Sequence, residues 1–176
     1  MEKLQVANSR NCTYIAADFD HDIDAVRVLY HMKNIGLLTF IDAHKLQQCK
    51  DSIYPCMIKK ILQYRIDHSK SFILIVGNQT TRIQKGTCRL CKRYNNQKYI
   101  CRIGNKVDHR SYIKYECDKA IEAGIEISVL YKHIIINRSL CPSVIRWSGK
   151  HKNMLYVGRD DYIYWNYDGI IKTIIR

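Results

Sequence analysis

The sequence predicts an α/β domain in which helices cover both faces of a central parallel sheet. Short apolar runs rich in β-branched residues alternate along the chain with segments whose apolar residues recur at helical spacing. The run Ser71 to Gly77 is almost continuously apolar, which is typical of a central strand buried on both faces. Because crossover helices join parallel strands, this alternation predicts helices on both faces of the sheet.

Length and composition predict one soluble domain that spans residues 1–176. Hydrophobic residues make up 47% of the chain and charged residues 26%, which favours a globular protein over a disordered one. No run of about 18 apolar residues occurs, and the polar start lacks the apolar stretch of a signal peptide. We therefore expect a cytoplasmic protein without a membrane partner.

The first half of the chain contains three predicted strands and two predicted helices. A β-rich run at residues 12–19 forms the first strand, and a helix follows that Asp22 caps and Gly36 ends. Leu37 to Ile41 forms the second strand. A second helix covers Tyr54 to Asp67 and leads into the strand Ser71 to Gly77.

The second half interrupts this alternation and then resumes it. Residues 82–110 are basic and contain Asn, Gly and Cys without a clear period, so they are predicted to form an insertion. A helix over Tyr112 to Ala123 and a strand over Glu126 to Tyr131 follow. The short apolar pieces in residues 134–176 are compatible with a last strand and a peripheral helix or hairpin.

Polar side chains follow each of the first three predicted strands. They are Asp18 and Asp20, then Asp42 and His44, then Asn78. Ligands of parallel α/β sheets bind beyond the carboxyl ends of the strands. We therefore expect these residues to gather along one edge of the molecule.

Four aspartates alternate after the first strand, at positions 18, 20, 22 and 24. Their spacing resembles a metal site, but the glycine and the distal glutamate of a calcium loop are missing. We predict instead that Asp22 caps the helix, that Asp20 orders the loop and that Asp18 faces the cleft.

Glu116 is the carboxylate that could carry chemistry, one turn after Tyr112 on the predicted third helix. Cleavage of the bond between nicotinamide and ribose in NAD+ passes through an oxocarbenium-like transition state. A carboxylate stabilises such a state by its charge or by holding the ribose hydroxyls. The alternative is that Glu116 pairs with a lysine on a solvated helix face.

Cysteines within the basic segment suggest a structural zinc site. Cys88 and Cys91 form a C-x-x-C pair, and Cys101 with His109 or Cys117 could complete four ligands. A metal would explain how a segment poor in apolar residues folds. The alternatives are a redox pair or thiols that are simply buried, since an intracellular chain keeps its cysteines reduced.

The formal charge of +13 favours polyanionic or phosphate-bearing ligands. Nucleic acid and a dinucleotide are both candidates, and a basic proteome or an acidic partner subunit would equally explain the excess. The basic residues are scattered without an aromatic-interleaved binding motif, which argues against nucleic acid.

Several segments in order resemble one known family. They are YIAADFDHDIDAVRVLYHMK, FIDAHKL, FILIVGNQTT and SYIKYECDKAIEAG followed by ISVLYK. Together they resemble the TIR-like proteins of Thoeris anti-phage systems, over residues 12–132. The family pattern is a strand ending in Phe-Asp, a second strand entering Asp-x-His, a Val-Gly turn before threonines, and a tyrosine-to-glutamate helix ending in Ala-Gly.

The resemblance implies a flavodoxin-like TIR fold and an enzyme that consumes NAD+ as its substrate. Such an enzyme is an NAD+ nucleosidase or an ADP-ribosyl cyclase or transferase, and needs no further cofactor. Its product is a cyclic ADP-ribose isomer or a conjugate of ADP-ribose with histidine. A phage-derived activator triggers the enzyme, and its diffusible product then activates a separate effector subunit. The enzyme itself could form a homo-oligomer.

The resemblance also assigns roles to single residues. Glu116 takes the place of the catalytic glutamate, and two tyrosines, Tyr112 and Tyr115, flank the base or the ribose. The cleft residues are Phe19, Asp20, Asp42, His44 and Asn78. The cysteine-bearing segment between Thr81 and Ser111 departs from the simpler family pattern, as does Cys117. Some TIR domains are adaptors, so a non-catalytic nucleotide-sensing or protein-interaction module is the alternative function.

Overall fold

The computed structural model describes residues 10–43 and 54–175. Its helices are α1 Ile23–Asn34, α2 Pro55–Asp67, α3 Tyr112–Glu122 and α4 Tyr167–Ile174. Its strands are β1 Cys12–Ala16, β2 Ile41–Asp42, β3 Ser69–Val76, β4 Tyr94–Asn95, β5 Ile100–Cys101, β6 Glu126–Tyr131, β7 Lys150–Asn153, β8 Leu155–Val157 and β9 Ile163–Trp165. None of the described helices combines the length and the apolar composition needed to span a membrane.

Five strands form one central sheet in the spatial order β2-β1-β3-β6-β7, and every neighbouring pair is parallel. From β1 the chain goes to β2 on one side and then returns to β3 on the other side. The carboxyl ends of β1 and β3 therefore flank the point where the strand order reverses. In open parallel sheets this point is a preferred place for a ligand crevice.

The strands divide the interior into two apolar layers because successive side chains point to opposite faces. Tyr14, Phe72 and Leu74 belong to the layer that includes α2 and α3. Ile15 and Ile73 belong to the opposite layer, which includes α1 and α4. The prediction of a parallel sheet with helices on both faces is confirmed.

The strand predicted for Leu37 to Ile41 is wrong for most of its length. The backbone N–H groups of Leu37 and Leu38 donate to the carbonyl oxygen of Met32 and close the end of α1. Leu38 and Phe40 are buried in the layer that contains α1, and only Ile41 and Asp42 pair with β1. This apolar run therefore packs against the core as a connection before it enters the sheet.

The carboxyl-terminal region supplies the edge strand from a polar segment. Strand β7 is Lys-His-Lys-Asn and pairs with β6 from Ser128↔Lys150 to Tyr131↔Asn153. The apolar pieces after it form the antiparallel β8–β9 hairpin and helix α4. The other two pieces, 134–136 and 144–147, contain no strand.

Residues 82–110 contain one small antiparallel pair, β4 with β5, and a 3₁₀ turn at Cys88–Leu90. The end of this segment is fixed to α2 by Lys59, which is only 4% exposed. Its ammonium group donates to the carbonyl of Arg110 at 2.7 Å and lies 3.3 Å from a carboxylate oxygen of Asp108. Burial lowers the pKa of Lys59, while the Asp108 carboxylate opposes that shift.

Candidate functional site

A cavity of about 230 Å³ lies where loops from β1 and β3 meet helices α2 and α3. Most of its lining side chains are apolar, and the polar groups at its wall are few. The lining residues are Ala17, Asp18, Phe19, Ile58, Leu62, Arg65, Ile83, Lys85, Tyr112, Ile113 and Glu116. An apolar cavity with a few convergent polar groups is the usual form of a small-molecule site.

Asp18 holds the loop after β1 in a tight turn at the mouth of this cavity. One of its carboxylate oxygens accepts the backbone N–H of Asp20 at 3.1 Å, and the other lies 2.6 Å from the ring Nδ1 of His21. Its carbonyl oxygen accepts the N–H of Asp22. Phe19 therefore stands out from the turn, 48% exposed, against the cavity.

Helix α3 directs three residues into the cavity. Ser111 caps the helix by accepting the N–H of Lys114 at 3.2 Å, which fixes where the first turn starts. Tyr112, Ile113 and Glu116 then share one helix face, because residues three and four apart lie on the same side.

The segment after β3 packs against Tyr112 and completes the wall. The carbonyl oxygen of Lys85 accepts the N–H of Tyr112 at 2.8 Å. Gly86 has φ +96°, and a Cβ at this position would lie 2.4 Å from a ring carbon of Tyr112. Only glycine allows the backbone to approach the ring this closely.

Glu116 is a buried carboxylate, 7% exposed, in the wall of the cavity. The hydroxyl of Tyr14 donates to its Oε1 at 2.5 Å. Burial and then the Glu116 charge raise the pKa of Tyr14, whereas the positive charge of Arg65 lowers it. Arg65 is buried as well and lines the same cavity. Tyr14 therefore interacts with both Glu116 and Arg65, two charged residues of the cavity wall.

Of the residues predicted for the site, Phe19, Tyr112 and Glu116 come together at this cavity. Asp20 lies at its rim, exposed, with a carboxylate oxygen 3.1 Å from the ammonium of Lys85. Asp18 faces the cavity as the sequence predicts, although it is Asp18 and not Asp20 that orders the loop.

The remaining predicted residues lie elsewhere or outside the described chain. Asp42 is buried on β2, accepts the hydroxyl of Tyr30 and does not line the cavity. Asn78 is exposed beyond β3 and does not line it either. Tyr115 projects from another side of α3, where its hydroxyl donates to Gln63 at 3.0 Å. His44 lies outside the described residues.

Asp22 occupies the N-cap position of α1, but its side chain makes no capping hydrogen bond. A Cβ on Gly77 would meet its carboxylate at 2.2 Å, so Asp22 fills the space beside the end of β3. Burial raises the pKa of Asp22, while the ammonium of Lys132, 3.5 Å away, opposes this shift. The loops after β1, β3 and β6 are thus packed together at one edge of the sheet.

Sequence reasoning missed Tyr14 and Arg65. Tyr14 is one of several apolar residues in β1, and its partner is 102 residues away along the chain. The sequence did contain a signal for Arg65, because this cation lies among Ile58, Leu62 and Ile66 on the apolar face of α2. A cation on a buried helix face needs an anionic partner nearby.

In the structure, Cys88, His109 and Cys117 each make other contacts. The buried Cys88 accepts the N–H of Asp108 on its sulfur at 3.2 Å, and His109 packs edge-on against Tyr94. Cys117 is buried in the core layer of α3. Within residues 10–43 and 54–175, no three His, Cys, Asp or Glu side chains are grouped as metal ligands. The zinc site with Cys91 and Cys101 stays a prediction.

Comparison with known proteins yields no further assignment. No protein-family model matches the sequence, and no curated protein matches it either.

Proposed function

We propose that this protein is a TIR-like enzyme with a flavodoxin-like sheet that cleaves NAD+ at the bond between nicotinamide and ribose. The observation that carries the proposal is that Glu116 lines one cavity together with Phe19 and Tyr112. The strand order, which reverses between β1 and β3, supports the flavodoxin-like assignment and a ligand at this edge.

The chemistry of the cavity fits the cleavage step. As nicotinamide leaves, positive charge develops on the ribose, and the buried carboxylate of Glu116 would stabilise it. Phe19 and Tyr112 would pack against the nicotinamide ring or the ribose. Tyr14 would hold Glu116 in position through its hydrogen bond.

The size of the cavity limits how NAD+ could bind. Its volume of about 230 Å³ is below the roughly 300–1,000 Å³ of pockets that enclose a drug-sized ligand. The nicotinamide riboside end would occupy the cavity, and the ADP end would lie outside it past the rim at Lys85. The acceptor that replaces nicotinamide is then the ADP-ribose itself or histidine, and the product activates a separate effector.

The non-catalytic module is the second candidate, and one observation favours it. Glu116 accepts a hydrogen bond from Tyr14 and shares its cavity wall with Arg65, an arrangement that a purely structural carboxylate would also adopt. In that case the cavity would bind a nucleotide without turnover.

The test compares Glu116→Gln with Glu122→Gln in purified protein supplied with NAD+ and an extract of phage-infected cells. Glu122 is an exposed carboxylate on the same helix and does not line the cavity. We expect Glu116→Gln to lower nicotinamide release at least ~100-fold, the typical effect of removing one group that stabilises transition-state charge. Glu122→Gln is expected to retain wild-type release, and mass spectrometry identifies the product.

Three outcomes decide between the two functions. Unchanged nicotinamide release by Glu116→Gln would contradict the catalytic assignment. Equal loss in both variants, with unchanged thermal melts, would show that the cavity carboxylate has no special role. Wild-type protein that binds NAD+ in calorimetry but releases no nicotinamide with the infected-cell extract would establish the non-catalytic module.

A further inference from the structure

A second, larger cavity of about 600 Å³ lies on the other side of the amino-terminal end of α3. Its walls come from the segment after β3, from the start of α3 and from residues 142–146 after β6. Lys114 lines this cavity, whereas Tyr112 and Glu116 on the adjacent face of the helix line the smaller cavity. The two cavities are therefore separated by α3 and share only Ile83 among their lining residues.

Positive charge dominates the walls of the larger cavity. Arg89, Arg110, Lys114 and Arg146 line it, and none of the lining residues is an aspartate or a glutamate. Arg110 is neutralised, because its guanidinium binds Asp108 and Asp118 at 2.8 Å each. Across the part of the chain that the structure describes, the other three cations have no carboxylate within ion-pair distance.

Hydrogen-bond donors accompany these charges. Five hydroxyl side chains, from three threonines and two serines, belong to the lining, and Ser111 caps the start of α3 there. The amino-terminal end of a helix carries partial positive charge and attracts phosphate. Guanidinium groups bind phosphate oxygens through two parallel hydrogen bonds.

We propose that this basic cavity binds a small molecule that carries two or more phosphate groups, of the nucleoside diphosphate class. Several positive charges that line one cavity without a paired carboxylate favour a multiply charged anion over a neutral ligand. The volume lies within the roughly 300–1,000 Å³ of small-molecule pockets, which favours a compact ligand over a nucleic-acid strand. The site is distinct from the cavity of Glu116 and does not depend on the proposed NAD+ cleavage.

The test is isothermal titration calorimetry with ADP as the probe and adenosine as the neutral control. The double variant Arg89→Gln/Lys114→Gln removes two exposed cations of the cavity. The control Arg27→Gln/Lys70→Gln removes two exposed cations outside both cavities, so each variant lowers the formal charge of +13 by two. Circular dichroism checks that both variants are folded.

We expect wild type to bind ADP and not adenosine, and to bind ADP more weakly as salt concentration rises. The cavity variant is expected to bind ADP at least ~10-fold more weakly, since two charge-assisted contacts are lost. The control variant is expected to bind like wild type. Displacement of ADP by inorganic tripolyphosphate would support phosphate groups as the recognised feature.

Other outcomes would overturn the proposal. They include no ADP binding by wild type, equal binding of adenosine, and equal weakening in both charge-matched variants. A further result would be that single-stranded DNA displaces ADP and that DNA binding weakens with salt much more steeply than ADP binding does. The ligand of the cavity would then be nucleic acid and not a small molecule.

Discussion

At the scale of single residues, the contact between Tyr14 and Glu116 joins the central sheet to α3. The tyrosine hydroxyl donates to the carboxylate at 2.5 Å, and both residues are buried. A hydrogen bond to a charged group contributes more than a neutral one, and its loss inside a protein leaves a poorly solvated acceptor. Tyr14 therefore holds the side chain of Glu116 in place.

Tyr14→Phe removes only this hydroxyl, and we expect it to lower the free energy of unfolding by about 1.5–3 kcal/mol. Tyr164→Phe is the matched control, because the exposed Tyr164 also donates to a carboxylate, that of Asp160. Solvent screens an exposed pair of this kind, so its loss is expected to change stability much less. Urea unfolding measures both changes, and an equal effect at the two sites would contradict a special role for the buried contact.

At the scale of elements, the connection between β3 and α3 shapes the cavity wall. Gly86 lies against the ring of Tyr112, and the backbone there has φ +96°. Gly104, in the same segment, has φ +75°, but a Cβ at that position would meet no described atom within 4 Å. Substitutions at the two glycines therefore separate the free-energy cost of positive φ from the free-energy cost of steric contact with Tyr112.

Gly86→Ala is expected to destabilise the protein by about 1 kcal/mol more than Gly104→Ala does. Both alanines must adopt positive φ, but only the first must also displace the Tyr112 ring. Thermal unfolding measures the stabilities, and nicotinamide release measures the effect of a displaced Tyr112 on the proposed reaction. Equal destabilisation by the two variants would contradict the contact between Gly86 and the ring.

Some helices and strands could be predicted from the sequence alone, and others could not. The helices at Tyr54 to Asp67 and Tyr112 to Ala123 and the strand Glu126 to Tyr131 were predictable, because their apolar periods coincide with clear caps or boundaries. Strand β7 was not predictable. Its four polar residues form a strand because β6 offers an unpaired edge, which is a tertiary effect that local pattern does not contain.

The candidate site, too, could be predicted from the sequence only in part. The resemblance implied that Phe19 and Glu116 share a cleft, and the expectation that polar residues after parallel strands meet at one edge placed Asp18 there as well. The direction of Tyr115 did not follow, since neighbouring residues of a helix face about 100° apart and the sequence does not fix which face meets the sheet. The contact of Tyr14 with Glu116 depends on tertiary packing across 102 positions.

At the scale of the whole molecule, basic residues outnumber acidic ones, and a single carboxylate can bind more than one cation. There are 29 Lys and Arg residues against 16 Asp and Glu residues. Asp108 is a carboxylate that binds two cations, Lys59 of α2 and Arg110. Arg110 in turn binds Asp118 of α3, so this network joins two helices to the end of the segment at residues 82–110.

This network predicts a pH dependence of global stability. Burial raises the pKa of Asp108, but hydrogen bonds from Arg110 and the charge of Lys59 outweigh it and lower the pKa to about 2. A carboxyl group whose pKa is lower in the folded state stabilises that state above its unfolded pKa of about 3.9. The stabilisation is lost as pH falls through the folded value, because protonation removes the charge that Arg110 and Lys59 bind.

Asp108→Asn therefore should lower the free energy of unfolding by about 1–2 kcal/mol near neutral pH, a figure reduced for solvent screening of a partly exposed group. The difference from wild type should shrink toward zero as pH falls from about 4 to about 2, where wild-type Asp108 also becomes neutral. Urea unfolding over this pH range measures the difference. Asp67→Asn, at an exposed position at the end of α2, is the control and should change stability by less than ~0.5 kcal/mol throughout. A constant difference for Asp108→Asn down to the lowest pH would show that its charge does not hold the segment to the two helices.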